Sequence, residues 1–188
     1  VSDMNRALLL VDMSNDFIQL DGALNCGQPG IDIVPYCAGL VDSFLARREY
    51  VVDARDDHDL TDYEIATGLF PAHNIVHTKG QELIPELHER LQNHQELVKY
   101  IPKKTYNATY ETDLLAFLTA KNITEVHIVG VCTDICVRYT VNGLYEWKAA
   151  VSKNLRVVVH QDGVASFNAV GHRDSLTHFA QVFGVDVV

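Results

Sequence analysis

Apolar residues in this chain fall into short unbroken runs, separated by longer segments in which they recur every three to four positions. "RALLLVD" (Arg6 to Asp12), "YVVDAR" (Tyr50 to Arg55), "ELVKYI" (Glu96 to Ile101), "VHIVGV" (Val126 to Val131), "LRVVVH" (Leu155 to His160) and "GVDVV" (Gly184 to Val188) read as strands. Most are continuously apolar rather than alternating, the pattern of strands covered on both faces. Helical spacing runs over Ile31 to Glu49, Glu111 to Lys121, Asp134 to about Ser152 and Ala169 to Val182, with Pro35 suited to an opening turn. Strand–helix alternation predicts a three-layer α/β/α fold with a mainly parallel, doubly wound six-stranded sheet. With 188 residues and no linker or repeat, residues 4–188 read as a single domain, the "VSD" before Met4 being set aside. The stretch from Asp56 to Gly80 is long for a structureless loop and is therefore expected to be functional.

Composition narrows the partners. The net charge is −10 and the basic residues form no stripe, which argues against nucleic acid. No apolar run is long enough to span a bilayer, and no basic face suggests a membrane surface. Four cysteines (Cys26, Cys37, Cys132, Cys136), with no secretory signal pattern, point to a reducing compartment, by default the cytoplasm. A small molecule is the expected partner; whether the chain forms a homo-oligomer is left open.

The predicted strand ends concentrate the chemistry. In open parallel sheets, ligands bind beyond the carboxyl ends of the strands, near the point where strand order reverses. Asp12 ends the first strand, Asp56 and His58 follow the second, Lys103 and Lys104 the third, and Cys132 and Cys136 the fourth. "GVCTDICV" spaces its cysteines too widely for a redox pair, and Cys26 and Cys37 are not spaced as a second metal clip. A thiol in the first turn of a helix suits a nucleophile with a lowered pKa, and Asp12 suits its proton acceptor. Lysine at the same edge could stabilise both charges, with Lys103 and Lys104 as rivals. Asp56, His58 and His73 carry side chains that bind a borderline divalent metal, and Asp62 or Glu64 could complete the shell.

Together, "LLLVDMSNDF", "ARDDH", "FPAHN", "PKKTYNATY" and "HIVGVCTDICV" resemble the nicotinamidase (pyrazinamidase) branch of the isochorismatase-like cysteine hydrolases. The resemblance runs through nearly the whole chain, in order. It implies an amidohydrolase that converts nicotinamide to nicotinate and ammonia in NAD salvage. Cys136 would be the nucleophile, Asp12 the general acid/base and Lys103 the third catalytic residue, the lysine being chosen by its spacing to Tyr106 and Ala108. A cis peptide between Val131 and Cys132 would turn the amides of Cys132 and Cys136 toward the substrate oxygen. Asp56, His58 and His73 would hold one divalent metal, zinc first, with iron and manganese as alternatives. The family's extra ligand lies several residues after the first histidine, six in one arrangement, which with the reach of a glutamate favours Glu64 over Asp62. Phe17, Phe70, Tyr106 and Tyr110 match positions that wall the substrate ring. The chain departs from the pattern at Ala72, where a second proline is common, and at Asn107, where small serine-like residues are usual. Hydrolysis of another small amide or of isochorismate, or a non-catalytic metal- or ligand-binding role, are the alternative readings.

Overall fold

The computed structural model describes residues 5–151 and 153–188. Met4, the start of the expected domain, and Ser152, the expected end of the third helix, lie outside the described residues. The strands are β1 (Arg6–Val11), β2 (Tyr50–Asp56), β3 (Val98–Lys103), β4 (Glu125–Val131), β5 (Arg156–Ala165) and β6 (Asp186–Val187). The helices are α1 (Asn15–Ile18), α2 (Gln28–Asp32), α3 (Val34–Ala46), α4 (Tyr63–Ala66), α5 (Pro85–Leu91), α6 (Leu114–Ala120), α7 (Arg138–Ala150) and α8 (Ala169–Phe183). The sheet has the order β3-β2-β1-β4-β5-β6, and every neighbouring pair is parallel.

Two cores account for the unbroken apolar runs. On one face Ala7, Leu9 and Val11 of β1 pack with Val126 and Ile128 of β4 against Leu118 of α6, Val141 and Leu144 of α7 and Phe179 of α8. On the other, Leu8 and Leu10 pack with Val129 and Val131 against Val41 and Phe44 of α3 and Leu87 of α5. Successive residues of a strand point to opposite faces, so both sets of positions must be apolar. The expected helix over 31–49 is divided between α2 and α3, with Ile33 between them. The short helix α5, opened by Pro85, is one the apolar spacing did not predict. β5 runs further than expected, because three additional residues bulge between the Ile128–Val159 and Gly130–Val164 pairings. Among the described residues, no helix is long and apolar enough to cross a membrane.

The chain leaves β1 for β2 and β3 on one side, then returns to place β4 on the other. The strand order therefore reverses between β1 and β4. That seam is tight. Gly130 sits at φ +122°, and a Cβ there would collide with the backbone of Val11. Gly130→Ala should therefore destabilise the chain by about 1–3 kcal/mol. Gly39, exposed in α3 with open space around its Cβ position, should instead gain about 0.5–1 kcal/mol as alanine. Denaturant unfolding of both variants measures the two signs; a neutral Gly130→Ala would show that the β1–β4 seam can relax.

Beside this seam, β4 and β5 carry a buried polar chain. The Glu125 carboxylate accepts from His127 Nε2 at 2.6 Å, so His127 Nδ1 accepts from His160 Nε2 at 2.7 Å, and His160 Nδ1 accepts from the Tyr36 hydroxyl at 2.9 Å. Burial and then the facing His127 push His160 down to about 4. Burial acts upward on Glu125, but hydrogen bonds from His127, Arg156 and Arg6 hold it down at about 2. A histidine kept neutral by folding contributes stability above its ordinary pKa that is lost as pH falls toward the folded value. The carboxylate loses its share at still lower pH. Stability should fall by on the order of 2 kcal/mol between pH 7 and pH 4 through His160, and His160→Gln should flatten the dependence of Tm on pH in that window. An equally steep fall in His160→Gln would remove this pair as the cause.

Candidate active site

The loops beyond β1, β2, β3 and β4 meet at the switch point. Asp12, one residue past β1, has φ +53°, a conformation its short side chain tolerates better than most. Its N–H donates to Ala54 O at 2.8 Å, which extends the β1–β2 ladder, and its Oδ1 accepts from Asp56 N at 2.8 Å. Asp56 ends β2 and Lys103 ends β3, paired with it in register. Past β4, a cis peptide joins Val131 to Cys132, and Thr133–Val137 form one π-helical turn before α7. Ile135 and Val137 both donate to Cys132 O in this turn.

Lys103 is the centre of the constellation and is essentially unexposed. Its Nζ lies 2.8 Å from Asp12 Oδ2, 2.5 Å from Asp56 Oδ1 and 3.5 Å from Cys136 Sγ, and it donates to Thr105 O at 3.1 Å. Burial acts to lower its pKa, but Asp12 and Asp56 outweigh that and hold it well above the ordinary lysine value. Burial acts upward on Asp56, yet Lys103 brings it below the carboxylate range. Asp12 responds differently: burial, then Asp56, push it up to about 6 against the pull of Lys103. Its Oδ2 faces Lys103 as an ion pair but receives no hydrogen bond, which leaves a buried acceptor for a proton.

The expected low thiol pKa is not realised. Cys136 is held well above the ordinary thiol value by burial first, with Asp12 and Asp56 adding to it and Lys103 only partly offsetting them. The physical reason is that the thiol sits in a buried π turn among carboxylates rather than at a free helix end. That direction favours the thiol form, whose proton needs a base when the sulfur reacts.

A second cluster adjoins the first through Asp56. Asp56, His58, Glu64 and His73, all buried, each offer one atom within 4.8 Å of all the others. Glu64 Oε1 lies 2.9 Å from His58 Nε2 and 3.2 Å from His73 Nε2, and Asp56 Oδ2 lies 3.6 and 3.7 Å from the same nitrogens. Both rings are anchored from outside: His58 Nδ1 meets Asp62 Oδ2 at 2.8 Å, and His73 Nδ1 donates to Pro71 O at 2.7 Å. The Nε2 atoms are thereby directed inward, where a proton and a cation compete for them, and His58 Nε2 is buried with no hydrogen-bond partner despite its close approach to Glu64. Convergence on a common point without mutual hydrogen bonding fits a shared divalent cation, and two imidazoles with two carboxylates are an apt donor set. Burial lowers the pKa of both rings, but the carboxylates outweigh it and raise His58 to about 10 and His73 to about 9, so the cavity draws positive charge.

The two rivals from the sequence pair with each other. Asp62 is not one of the four converging residues; it orients His58 from outside and accepts from Lys104 Nζ at 3.1 Å, at the surface. Phe17, Phe70 and Tyr106 line a pocket with Cys132, Cys136, Asp56, Glu64 and His73. Phe17 and Phe70 stand edge-on to His73, and Phe70 to Tyr106. Tyr110 is not part of this wall. The chain reverses at Asn107, whose side chain accepts from Thr109 N and whose carbonyl accepts from Tyr110 N, and Tyr110 is left 57% exposed.

Several contributors had no assigned role in the sequence reading. Phe167, Ile135 and Leu24 complete the pocket wall. Phe167 follows the carboxyl end of β5, but that end lies five residues beyond the expected one at His160, so the strand-end rule did not reach it; Leu24, in an irregular loop, carries no such signal. Asn74 is fully buried at φ +45° and binds the metal-cluster loop to its surroundings. It accepts from Ser14 Oγ at 2.8 Å and from His58 N at 3.0 Å, and donates from its backbone to Asp16 Oδ2 at 2.8 Å. Its place directly after His73 in "FPAHN" was the available signal.

Comparison with known proteins agrees with this fold. A model of the isochorismatase domain matches residues 6–187. The "uncharacterized isochorismatase family protein PncA" of Bacillus subtilis is 42% identical over 187 residues, 98% of this chain and 99% of that protein. A crystal structure of nicotinamidase PncA from Bacillus subtilis superposes with a TM-score of 0.90 at 40% identity, covering 98% of this chain and 99% of the other. A pyrazinamidase of Pyrococcus horikoshii in complex with zinc superposes with a TM-score of 0.80 at 25% identity, covering 98% of both chains. With a family model spanning all six strands, and the strand ends meeting as described, the chain belongs to the isochorismatase family.

Proposed function

We propose that the chain is a metal-dependent cysteine amidohydrolase that converts nicotinamide to nicotinate and ammonia, a reaction of NAD salvage in the cytoplasm. One observation carries this reading: the Cys136 thiol and the inward-facing four-residue cluster open into the same aromatic pocket, coupled through Asp56. In this reading a planar ring lies between Phe17, Phe70 and Tyr106, and a ring nitrogen has a natural partner in a cation held by Asp56, His58, Glu64 and His73. The relative named nicotinamidase and the zinc complex of a pyrazinamidase support the same choice of substrate class and of zinc. The cluster also disfavours isochorismate, which offers no pyridine nitrogen.

The chemistry then follows from proton positions. Asp12 Oδ2 takes the proton of Cys136 as Sγ bonds to the carboxamide carbon. The carbonyl oxygen becomes an oxyanion held by the amides of Cys132 and Cys136. Asp12 returns the proton to the departing nitrogen, the C–N bond breaks, and ammonia leaves a Cys136 thioester. Asp12 next takes a proton from water as its oxygen bonds to the thioester carbon. Collapse breaks the C–S bond, releases the carboxylic acid and gives the proton back to sulfur. Lys103 stays charged throughout and balances whichever of Asp12 and Cys136 is anionic. The bound cation would supply orientation of the ring rather than activation of the scissile bond.

Purified metal-loaded protein should release ammonia from nicotinamide, with pyrazinamide as a second substrate. Cys136→Ser should keep the wild-type circular dichroism and lose turnover by roughly a thousandfold or more, as expected when a nucleophile is removed. Folded, metal-loaded protein that leaves nicotinamide intact would sink the assignment.

Metal titration by calorimetry separates the two carboxylates of the 58–73 loop. Glu64→Ala should weaken zinc affinity by more than about 100-fold as a direct donor, whereas Asp62→Ala, acting through His58, should cost about 10- to 100-fold. A larger loss for Asp62→Ala would transfer the ligand role to Asp62.

A further inference from the structure

Of the three cysteines that take no covalent part in this chemistry, two have side chains that touch. Cys26 Sγ and Cys132 Sγ lie 3.2 Å apart across 106 positions of sequence. Both are buried, but unequally placed: Cys132 lines the substrate pocket beside Cys136, and Cys26 lies behind it. Cys26 is held there by its N–H on Phe17 O at 2.8 Å and by Gly30, where any side chain would press on the Cys26 Cβ. Cys37 is engaged elsewhere, with its thiol on Gly163 O at 3.5 Å.

We propose that Cys26 and Cys132 are a modification site, forming a reversible disulfide by exchange with a small organic disulfide that enters through the substrate pocket. In the first step the Cys132 sulfur attacks one sulfur of the reagent; that S–S bond breaks, a mixed disulfide forms on Cys132, and one thiol leaves with the Cys132 proton. In the second, the Cys26 sulfur attacks the Cys132 sulfur, and the remaining half of the reagent leaves as thiol with the Cys26 proton. The two cysteines are oxidised and the reagent is reduced, with no other electron acceptor. Either sulfur can donate in the contact between them, and Cys26, lying behind Cys132, is placed for the resolving role.

The bond changes the pocket. A disulfide brings the sulfurs to about 2.0 Å, so the present 3.2 Å separation must shrink by about 1 Å, a movement shared between Cys26 and Cys132. Cys132 is the residue whose amide is assigned to the oxyanion, so the oxidised form is expected to turn over slowly. This consequence rests on the proposed amidase mechanism; the bond itself does not.

The test exposes the metal-loaded enzyme to 2-hydroxyethyl disulfide, followed by intact mass and peptide mapping. Wild-type protein should lose two hydrogens, yield a cross-linked peptide containing Cys26 and Cys132, and show kcat reduced about tenfold or more, restored by dithiothreitol. Cys26→Ser should have the wild-type rate beforehand and accumulate only reagent adducts. Absence of the cross-link, a cross-link from Cys132 to Cys136, or cross-linked protein with undiminished kcat would each overturn the proposal. Because the mass readout is independent of turnover, a protein inactive on nicotinamide would still reveal whether the disulfide forms.

Discussion

A single buried ammonium organises this molecule. Lys103 lies between two carboxylates and a thiol, all almost wholly buried, and none of these groups could stay charged there alone. The lysine keeps Asp56 anionic, and Asp56 in turn faces the two histidines. Asp12 receives less of this stabilisation and is left with a raised proton affinity. Two carboxylates on the same lysine are thus pushed apart, one held anionic and the other left with raised proton affinity. Removing the lysine would leave buried charges uncompensated, so the site and the stability of the sheet edge cannot be separated.

The surrounding shell is arranged so that the two Nε2 atoms have nowhere else to point. Asp62 and the Pro71 carbonyl occupy the outer nitrogens of His58 and His73, and Asn74 links their loop to Ser14, Asp16 and β2. Such outer contacts set the tautomer and orientation of a ligating imidazole. They also explain how a long segment with a single helical turn can hold a defined shape: its polar backbone groups are paired with buried side chains.

The location follows from topology. Where β1 and β4 lie side by side but continue into opposite halves of the sheet, the loops that leave them diverge and open a cleft. Gly130 lets the two strands approach, and Asp12 and Cys136 emerge on either side of the seam. The same divergence admits Phe167 from the end of β5, which turns a two-strand crevice into an aromatic pocket.

Much of this was legible in the sequence because it depends on local pattern. Runs such as "ALLLV" must be covered on both faces, and parallel strands so covered must deliver their carboxyl ends to one edge; that rule brings Asp12, Asp56, the Lys103–Lys104 pair and the Cys132/Cys136 pair together, and the choice within each pair came from the family resemblance. What the sequence could not determine depended on distance between segments far apart in the chain. Asp62 and Glu64 differ by two positions, yet a turn of helix at Tyr63–Ala66 turns one inward and leaves the other outside. Tyr110 looked equivalent to Tyr106 until the turn at Asn107 carried it to the surface. The thiol of Cys136 looked acidic from its place after a strand, but its ionisation is set by burial and by carboxylates contributed from β1 and β2. Periodicity records which faces are covered; solvation and charge are properties of the assembled neighbourhood, which only the packed chain creates.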